Sequence, residues 1–566
     1  MAATTTPDLD STADVAAPLD ALLVDAALGP VRRFAPNAST VTFGLRLALR
    51  PRATTRRLVG AAGDLGRVAL GRSELAPSGR DRRFTDAAWS GNPILRRLLQ
   101  GYLVAGQTLQ QLVADADLGW RDDQRVRFLV DNLVEAAAPS NLPLVNPASV
   151  KEAIDTGGLS LLRGGRNLAR DMASSPRIPA MVDPSGFEVG RTVAATPGSV
   201  VLRTEVLELI QYRPSTDRVR EVPLLITPPT INKYYAVDLA PGRSLVEHLV
   251  DSGQQVFVMS WRNPDARHAS WNLDTYVRAV LDALDATERI CRSERSVLLG
   301  LCSGGIIASL TAAHLAATGG LSRLAGLALA VTVLDNDQAG LGAALVDRRL
   351  AIAATAASRR RGYLDGRSLA EVFAWLRPGD LIWNYWVNDY LLGQKPPAFD
   401  VLFWNADTTR MTAALHADFI DLFLHNRLVK PGDARVLDLP VDLSAVDIDS
   451  YVVAGIADHL TPWQNCYRST QLLGGASRFV LSTSGHIAAL VNPPGNPKAS
   501  HRTNDANPGS AGAWLADAQT HPDSWWPDFV TWLTEHGGAT KPAPDLPGGG
   551  GLVPLVDAPG TYVLDP

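Results

Sequence analysis

Residues Val297 to Leu310 read VLLGLCSGGIIASL: an apolar run, a cysteine among small residues, then a second apolar run, with no charge between them. From Ser296 to Ser322 no Asp, Glu, Lys or Arg occurs, a length that would suit a membrane span. The Gly, Ser, Thr and His content and the break at CSGG argue instead for a buried strand that turns into a buried helix. A strand apolar along its whole length needs cover on both faces, which points to a parallel sheet in an α/β domain.

The surrounding sequence repeats the pattern. Strands are expected at Val222 to Thr227, Gln255 to Ser260, Ser296 to Gly300, Leu324 to Val333, Ser450 to Ala454 and Arg478 to Ser482, with helices between them, including Leu273 to Cys291. Between Asp335 and about Asp447 the alternation stops. That insertion, about 336–447, carries Phe373, Trp375, Trp383, Tyr385, Trp386, Tyr390, Phe403 and Trp404 and is a candidate cap over a site. Ahead of the sheet, residues 1–198 form a separate N-terminal region. Its first 75 or so residues lack a persistent period and are expected to be loosely ordered, whereas Asn92 to Ala114 and Asp123 to Ala137 show helical spacing. Residues 199–566 form the catalytic-scale α/β domain.

Composition excludes some functions. With 566 residues, 46% hydrophobic and 20% charged, and a net charge of −5, the chain reads as a globular protein with no basic footprint for nucleic acid. Cys291, Cys302 and Cys466 are its only cysteines, too few for a disulfide framework, which points to a reducing cytoplasm. The first thirty residues are acidic and lack a continuous apolar segment, so no export signal is expected.

Strand, G-x-C-x-G-G, helix meets the demands of a nucleophile elbow. The nucleophile sits on a strained turn, and the positions two before and two after it, here Gly300 and Gly304, must be small. There a thiol would lie at a helix N-terminus, which favours thiolate and later an oxyanion. A buried structural cysteine is the alternative, so partners must decide. In the hydrolase order the acid follows the nucleophile and the histidine comes last. Asp458 and His486 both follow expected strands and fit. His459 adjoins Asp458 and is a candidate to line the site, Asp335 is a fallback acid, and His248 and His314 fall within helical patterns.

These residues belong to a wider set of motifs. GLCSGG is accompanied by PPTINKYYAVDL from Pro228, SWRNPD from Ser260, LIWNYWVNDYLLG from Leu381, FDVLFWNADTTR from Phe399, GIADHLTPWQNCYRS from Gly455 and SGHIAALVNPPGNPKA from Ser484. Together they resemble the polyhydroxyalkanoate synthases, from about Asp81 to Trp526, and most closely the single-polypeptide group that prefers medium-chain 3-hydroxyacyl units. The resemblance implies an α/β-hydrolase core with a mobile cap, Cys302 as nucleophile, His486 as base and Asp458 as acid. It also implies dimerisation, association with polymer granules, and neither a metal nor a bound cofactor, CoA being only the leaving group.

On that chemistry the thiolate attacks the thioester of a 3-hydroxyacyl-CoA, and the 3-hydroxyl of another unit then attacks the enzyme thioester. The oxyanion would take one donor from the Ser303 N–H and a second from the PPTIN loop, assigned to Ile231 with Thr230 as the other choice. Two rivals are a Cys-type thioesterase on the same core and a non-catalytic granule-coating protein.

Overall fold

The computed structural model describes residues 19–29, 37–79, 81–173, 175–336, 348–458 and 460–566. Eleven strands form one mixed sheet: β1 (Gly198–Arg203), β2 (Leu207–Tyr212), β3 (Leu224–Thr227), β4 (Val256–Trp261), β5 (Ser296–Leu301), β6 (Leu324–Ala330), β7 (Ser450–Gly455), β8 (Ser477–Ser482), β9 (Ser500–Thr503), β10 (Gln519–Pro522) and β11 (Val556–Asp557). Their order across the sheet is β10-β9-β8-β7-β6-β5-β3-β4-β2-β1-β11.

The six central strands, β8 to β4 in that order, pair in parallel, and antiparallel strands flank them on both sides. Every residue of β3, β4, β5 and β7 is buried. This is why these strands are legible as apolar runs. The register sets Thr227 opposite Gly300 and Leu301 opposite Ala330, so the ends of β3, β5 and β6 lie side by side where the site forms. The charge-free segment is β5 followed by the helix Ser303–Ala317. Among the described residues no helix is long and apolar enough to cross a membrane.

The chain divides into two compact units. One comprises residues 1–27, 184–366 and 399–566; the other comprises 28–183 and 367–398. The expected boundary at 198 thus falls at 183/184. The insertion expected as one cap is shared, its middle part, 367–398, belonging with the N-terminal helices. Packing explains this. Trp386 Nε1 donates to the Asn141 carbonyl at 3.1 Å, Tyr390 Oη donates to Asp171 at 3.0 Å, and Ser149 Oγ donates to the Leu391 carbonyl at 3.2 Å. Gly164 lies so close to the Tyr390 carbonyl that a Cβ there would overlap it.

The first 75 residues also depart from expectation, because their described part is largely helical: Leu19–Leu28, Ala38–Leu49 and Pro51–Ala69. Asn37 caps the second helix through the Thr40 N–H, and Pro51 opens the third, both standard N-terminal devices. Leu23 is fully buried in the sheet-bearing unit, and its carbonyl lies 3.1 Å from His416 Nε2.

Candidate active site

Cys302 follows β5 directly and carries φ 51°, ψ −119°. Positive φ is costly for a residue with a side chain, so the surroundings must impose it. They do so through both backbone ends. The Cys302 N–H donates to the Ala330 carbonyl at 2.9 Å, and its carbonyl accepts the Gly305 N–H at 3.0 Å. A Cβ on Gly300 would overlap Gly305, one on Gly304 the Thr227 and Pro228 carbonyls, and one on Gly305 the Thr332 side chain. The glycines therefore let strand, helix and loop approach closely. Cys302 remains partly exposed, while Cys291 and Cys466 are buried.

Asp458 lies three residues beyond β7 and is 3% exposed. Its Oδ1 accepts the Leu460 and Thr461 N–H groups at 2.8 and 3.0 Å, and its Oδ2 accepts the Thr461 hydroxyl at 2.6 Å. His486 opens the short helix after β8, with its Nδ1 2.7 Å from Asp458 Oδ2 and its side chain 10% exposed. The Cys302 thiol is near enough to the same imidazole to act on its charge. Burial alone would raise the Asp458 carboxyl, but the His486 charge and the Thr461 donors hold it below the usual carboxylate range. Burial would likewise lower the imidazole, yet Asp458 first and Cys302 second hold it well above its ordinary value.

The sequence candidates thus come together as Cys302, His486 and Asp458. The fallback acid Asp335 is engaged elsewhere, paired with Arg468 at 3.1 Å and with Asn426 at 2.8 Å. His248 packs against Trp526 with its ring tilted by 40°. His459 lies outside the described residues.

Thr461 was not singled out from sequence, although it shares Asp458 Oδ2 with His486 and lies 3.2 Å from His486 Nδ1. The D-x-x-T spacing after a strand was its only signal. Cys466 is a third buried neighbour; burial, then the Asp458 charge, push its thiol well above the ordinary value, which leaves it inert as a nucleophile.

The loop after β3, PPTIN, faces the elbow. Pro228 and Pro229 have no N–H. The Thr230 N–H is taken by Ser303 Oγ at 2.9 Å. Among the described residues nothing accepts from the Ile231 N–H, although Ile231 is only 7% exposed. A buried donor of this kind needs an acceptor. Ser303, as first residue of its helix, also holds its N–H ahead of the intrahelical ladder.

The charged pair makes stability depend on pH. A histidine raised in the folded state contributes fully below its unfolded value of about 6.5, and the contribution fades as pH rises through the folded value. A depressed aspartate contributes above about pH 4 and loses it only as pH falls through its lowered value. The melting-temperature gap between the parent and Asp458→Asn is therefore expected to be widest between about pH 4 and 6.5 and to narrow toward pH 9. Paired thermal melts across that range check this; a gap that widens with pH would contradict the pairing.

Sheet order, elbow and the acid and histidine at later strand ends define an α/β-hydrolase-fold protein with a thiol at the nucleophile position. Residues 228–493 match the alpha/beta hydrolase fold and residues 80–249 match the poly-beta-hydroxybutyrate polymerase (PhaC) N-terminus. The chain is 47% identical over 500 residues to poly(3-hydroxyalkanoate) polymerase 1 of Ectopseudomonas oleovorans, covering 88% of this chain and 89% of that one. Polymerase 2 of the same organism is 45% identical, with 93% and 94% covered, and the polymerase subunit PhaC of Cupriavidus necator is 40% identical, with 88% and 85% covered. The chain belongs to the poly(3-hydroxyalkanoate) polymerase family.

Proposed function

We propose that this chain polymerises (R)-3-hydroxyacyl-CoA thioesters into polyhydroxyalkanoate with release of CoA, and that Cys302 carries the acyl group. The observation that carries the reading is Cys302 on a strained elbow, near an imidazole whose Nδ1 is fixed by a buried carboxylate.

His486 accepts the thiol proton, and Asp458 holds the imidazole in place and balances its charge. The thiolate attacks the thioester carbonyl and CoA departs as a thiol, reprotonated from His486. Thioester is exchanged for thioester, so the bound acyl group stays activated. The 3-hydroxyl of another unit then attacks this carbonyl while His486 takes its proton. One ester bond forms, and the sulfur is regenerated. The tetrahedral oxyanion in each step is received by the Ser303 and Ile231 N–H groups; the consumed Thr230 N–H and the unspent Ile231 N–H favour Ile231 as the second donor.

The same reading places the protein in the cytoplasm as a homodimer on polymer granules and gives it a preference for medium-chain units; the family resemblance supports these assignments. Granule attachment is also supported by Leu45, Leu49, Leu58, Val59 and Leu65, all exposed on the N-terminal helices.

Incubating the purified protein with 3-hydroxydecanoyl-CoA tests the reading. Free CoA accompanied by insoluble polyester is expected. Free CoA with an equal amount of soluble 3-hydroxydecanoic acid would identify a thioesterase instead, because fold and triad do not by themselves choose between water and an alcohol as acceptor. A protein that coats polymer but never releases CoA would be a binding protein.

A further inference from the structure

The loop that carries Ile231 is held from outside by one segment of the insertion, residues 404–409. Its carbonyls are fixed one after another. Trp261 Nε1 donates to the Pro228 carbonyl at 3.0 Å, Thr409 Oγ1 to the Thr230 carbonyl at 3.4 Å, the Thr409 N–H to the Ile231 carbonyl at 3.2 Å, and Trp404 Nε1 to the Lys233 carbonyl at 2.7 Å. Asn232 forms an antiparallel bridge with Thr408, and the Tyr235 hydroxyl donates to Asp407 at 2.7 Å. Thr409 and Trp404 are 5% and 4% exposed, so water does not compete for these bonds.

Two of the four carbonyls matter most. A peptide unit is planar and trans, so its C=O and N–H point in opposite directions. The Thr230 carbonyl shares its plane with the Ile231 N–H; the Ile231 carbonyl belongs to the next plane. Thr409 binds both, one through its hydroxyl and one through its backbone. Both peptide planes flanking Ile231 are therefore set by a single residue, and with the Thr230 carbonyl drawn toward Thr409, the Ile231 N–H is turned away from it. On the far side of Thr230, Ser303 Oγ fixes the remaining N–H, which ties the loop to the elbow.

We propose that Thr409 is the positioning residue of the oxyanion site: its hydroxyl fixes the plane that aims the Ile231 N–H, with Trp404 anchoring the same loop beyond it. This rests on the covalent reading above. Thr409 itself touches no reacting atom. It acts through Ile231, in the transition state, so its loss should lower turnover without weakening substrate binding.

The comparison is Thr409→Val, which keeps shape and removes the donor, against Thr409→Ser, which keeps the donor. Removing an oxyanion donor outright costs about 10²–10³ in kcat, and loosening one should cost less, about tenfold. CoA release by Thr409→Val is thus expected to show kcat down about tenfold with KM within about twofold of the parent, and Thr409→Ser to recover most of the loss. Alkylation of Cys302 by iodoacetamide forms no oxyanion and should proceed in Thr409→Val at the parent rate.

Parent-like kcat in Thr409→Val, equal losses in Thr409→Val and Thr409→Ser, or alkylation that falls together with CoA release would overturn the proposal. Should Thr409→Val fail to fold, Trp404→Phe carries the test: a folded variant with parent kcat overturns it, and a lowered kcat at constant KM supports it. Normal CoA release from Cys302→Ala would instead strike the covalent reading, a failure distinct from any outcome at Thr409.

Discussion

Cys302→Ala and Cys302→Ser are both expected to lose CoA release by about 10³-fold or more, the scale on which removing a nucleophile from a triad acts, while melting within a few degrees of the parent. Alanine removes the nucleophile. Serine keeps one, and its failure has a different physical origin. An alcohol gives up its proton far less readily than a thiol, so with the same base, His486, far less of the nucleophile becomes anionic. Any acyl group that reached serine would be held as an ordinary ester, and transfer to a 3-hydroxyl would exchange one ester for another with no remaining activation. Cys302→Ser should therefore, at best, acylate slowly and accumulate a stalled acyl-enzyme, visible as a mass increase on the intact protein. Neither substitution should disturb the fold. The side chain is only partly buried and serine is slightly smaller than cysteine. Polymer formation by Cys302→Ser at a rate near the parent would remove the thiol from the mechanism.

The sequence made the centre of this site readable because its physical demands are local. β5 and its neighbours are buried on both faces and so appear as uninterrupted apolar runs. The elbow is readable because Gly300 and Gly304 stand where a Cβ would meet backbone or a packed side chain. Asp458 and His486 follow strands that could be seen, in the order the fold requires.

What was hidden depends on contacts between distant positions. Thr409 touches Thr230 across 179 residues, and its part is to bind a carbonyl, which leaves no compositional trace. Aromatic content marked the insertion, but could not tell which surface Trp386 and Tyr390 pack against; their partners are Asn141 and Asp171, on the N-terminal side. The early helices were missed for a related reason. Leu45, Leu49, Leu58 and Leu65 are exposed, so no single buried stripe enforces a period, and the signals present were the caps at Asn37 and Pro51.

Gly304→Ala should produce the second large effect, and its sign runs against helix propensity. Gly304 lies in the first turn of Ser303–Ala317, where alanine would ordinarily gain up to about 1 kcal/mol over glycine. Here the added methyl would overlap the Thr227 and Pro228 carbonyl oxygens and lie 2.7 Å from the Pro228 carbonyl carbon. These are backbone atoms. Thr227 ends β3, and the Pro228 carbonyl is tied to Trp261, so neither can swing aside as a flexible side chain would. Overpacking of this kind costs about 1–3 kcal/mol, and at about 2–4 °C per kcal/mol for a domain of 150–250 residues the melting point should fall by several degrees. Activity should fall further than stability. Relief of the overlap pushes the PPTIN loop away from the elbow, separating the Ile231 and Ser303 donors, and a displacement near 1 Å can cost about a hundredfold in rate. Gly512→Ala supplies the comparison, because it too lies in a helix and a Cβ there meets nothing within 4 Å. The expected pair of results is a Gly304→Ala protein that still folds below its lowered melting point but releases CoA about a hundredfold more slowly, beside a Gly512→Ala protein unchanged in both. Parent-like turnover from Gly304→Ala would mean that the contact between loop and elbow does not set the oxyanion geometry.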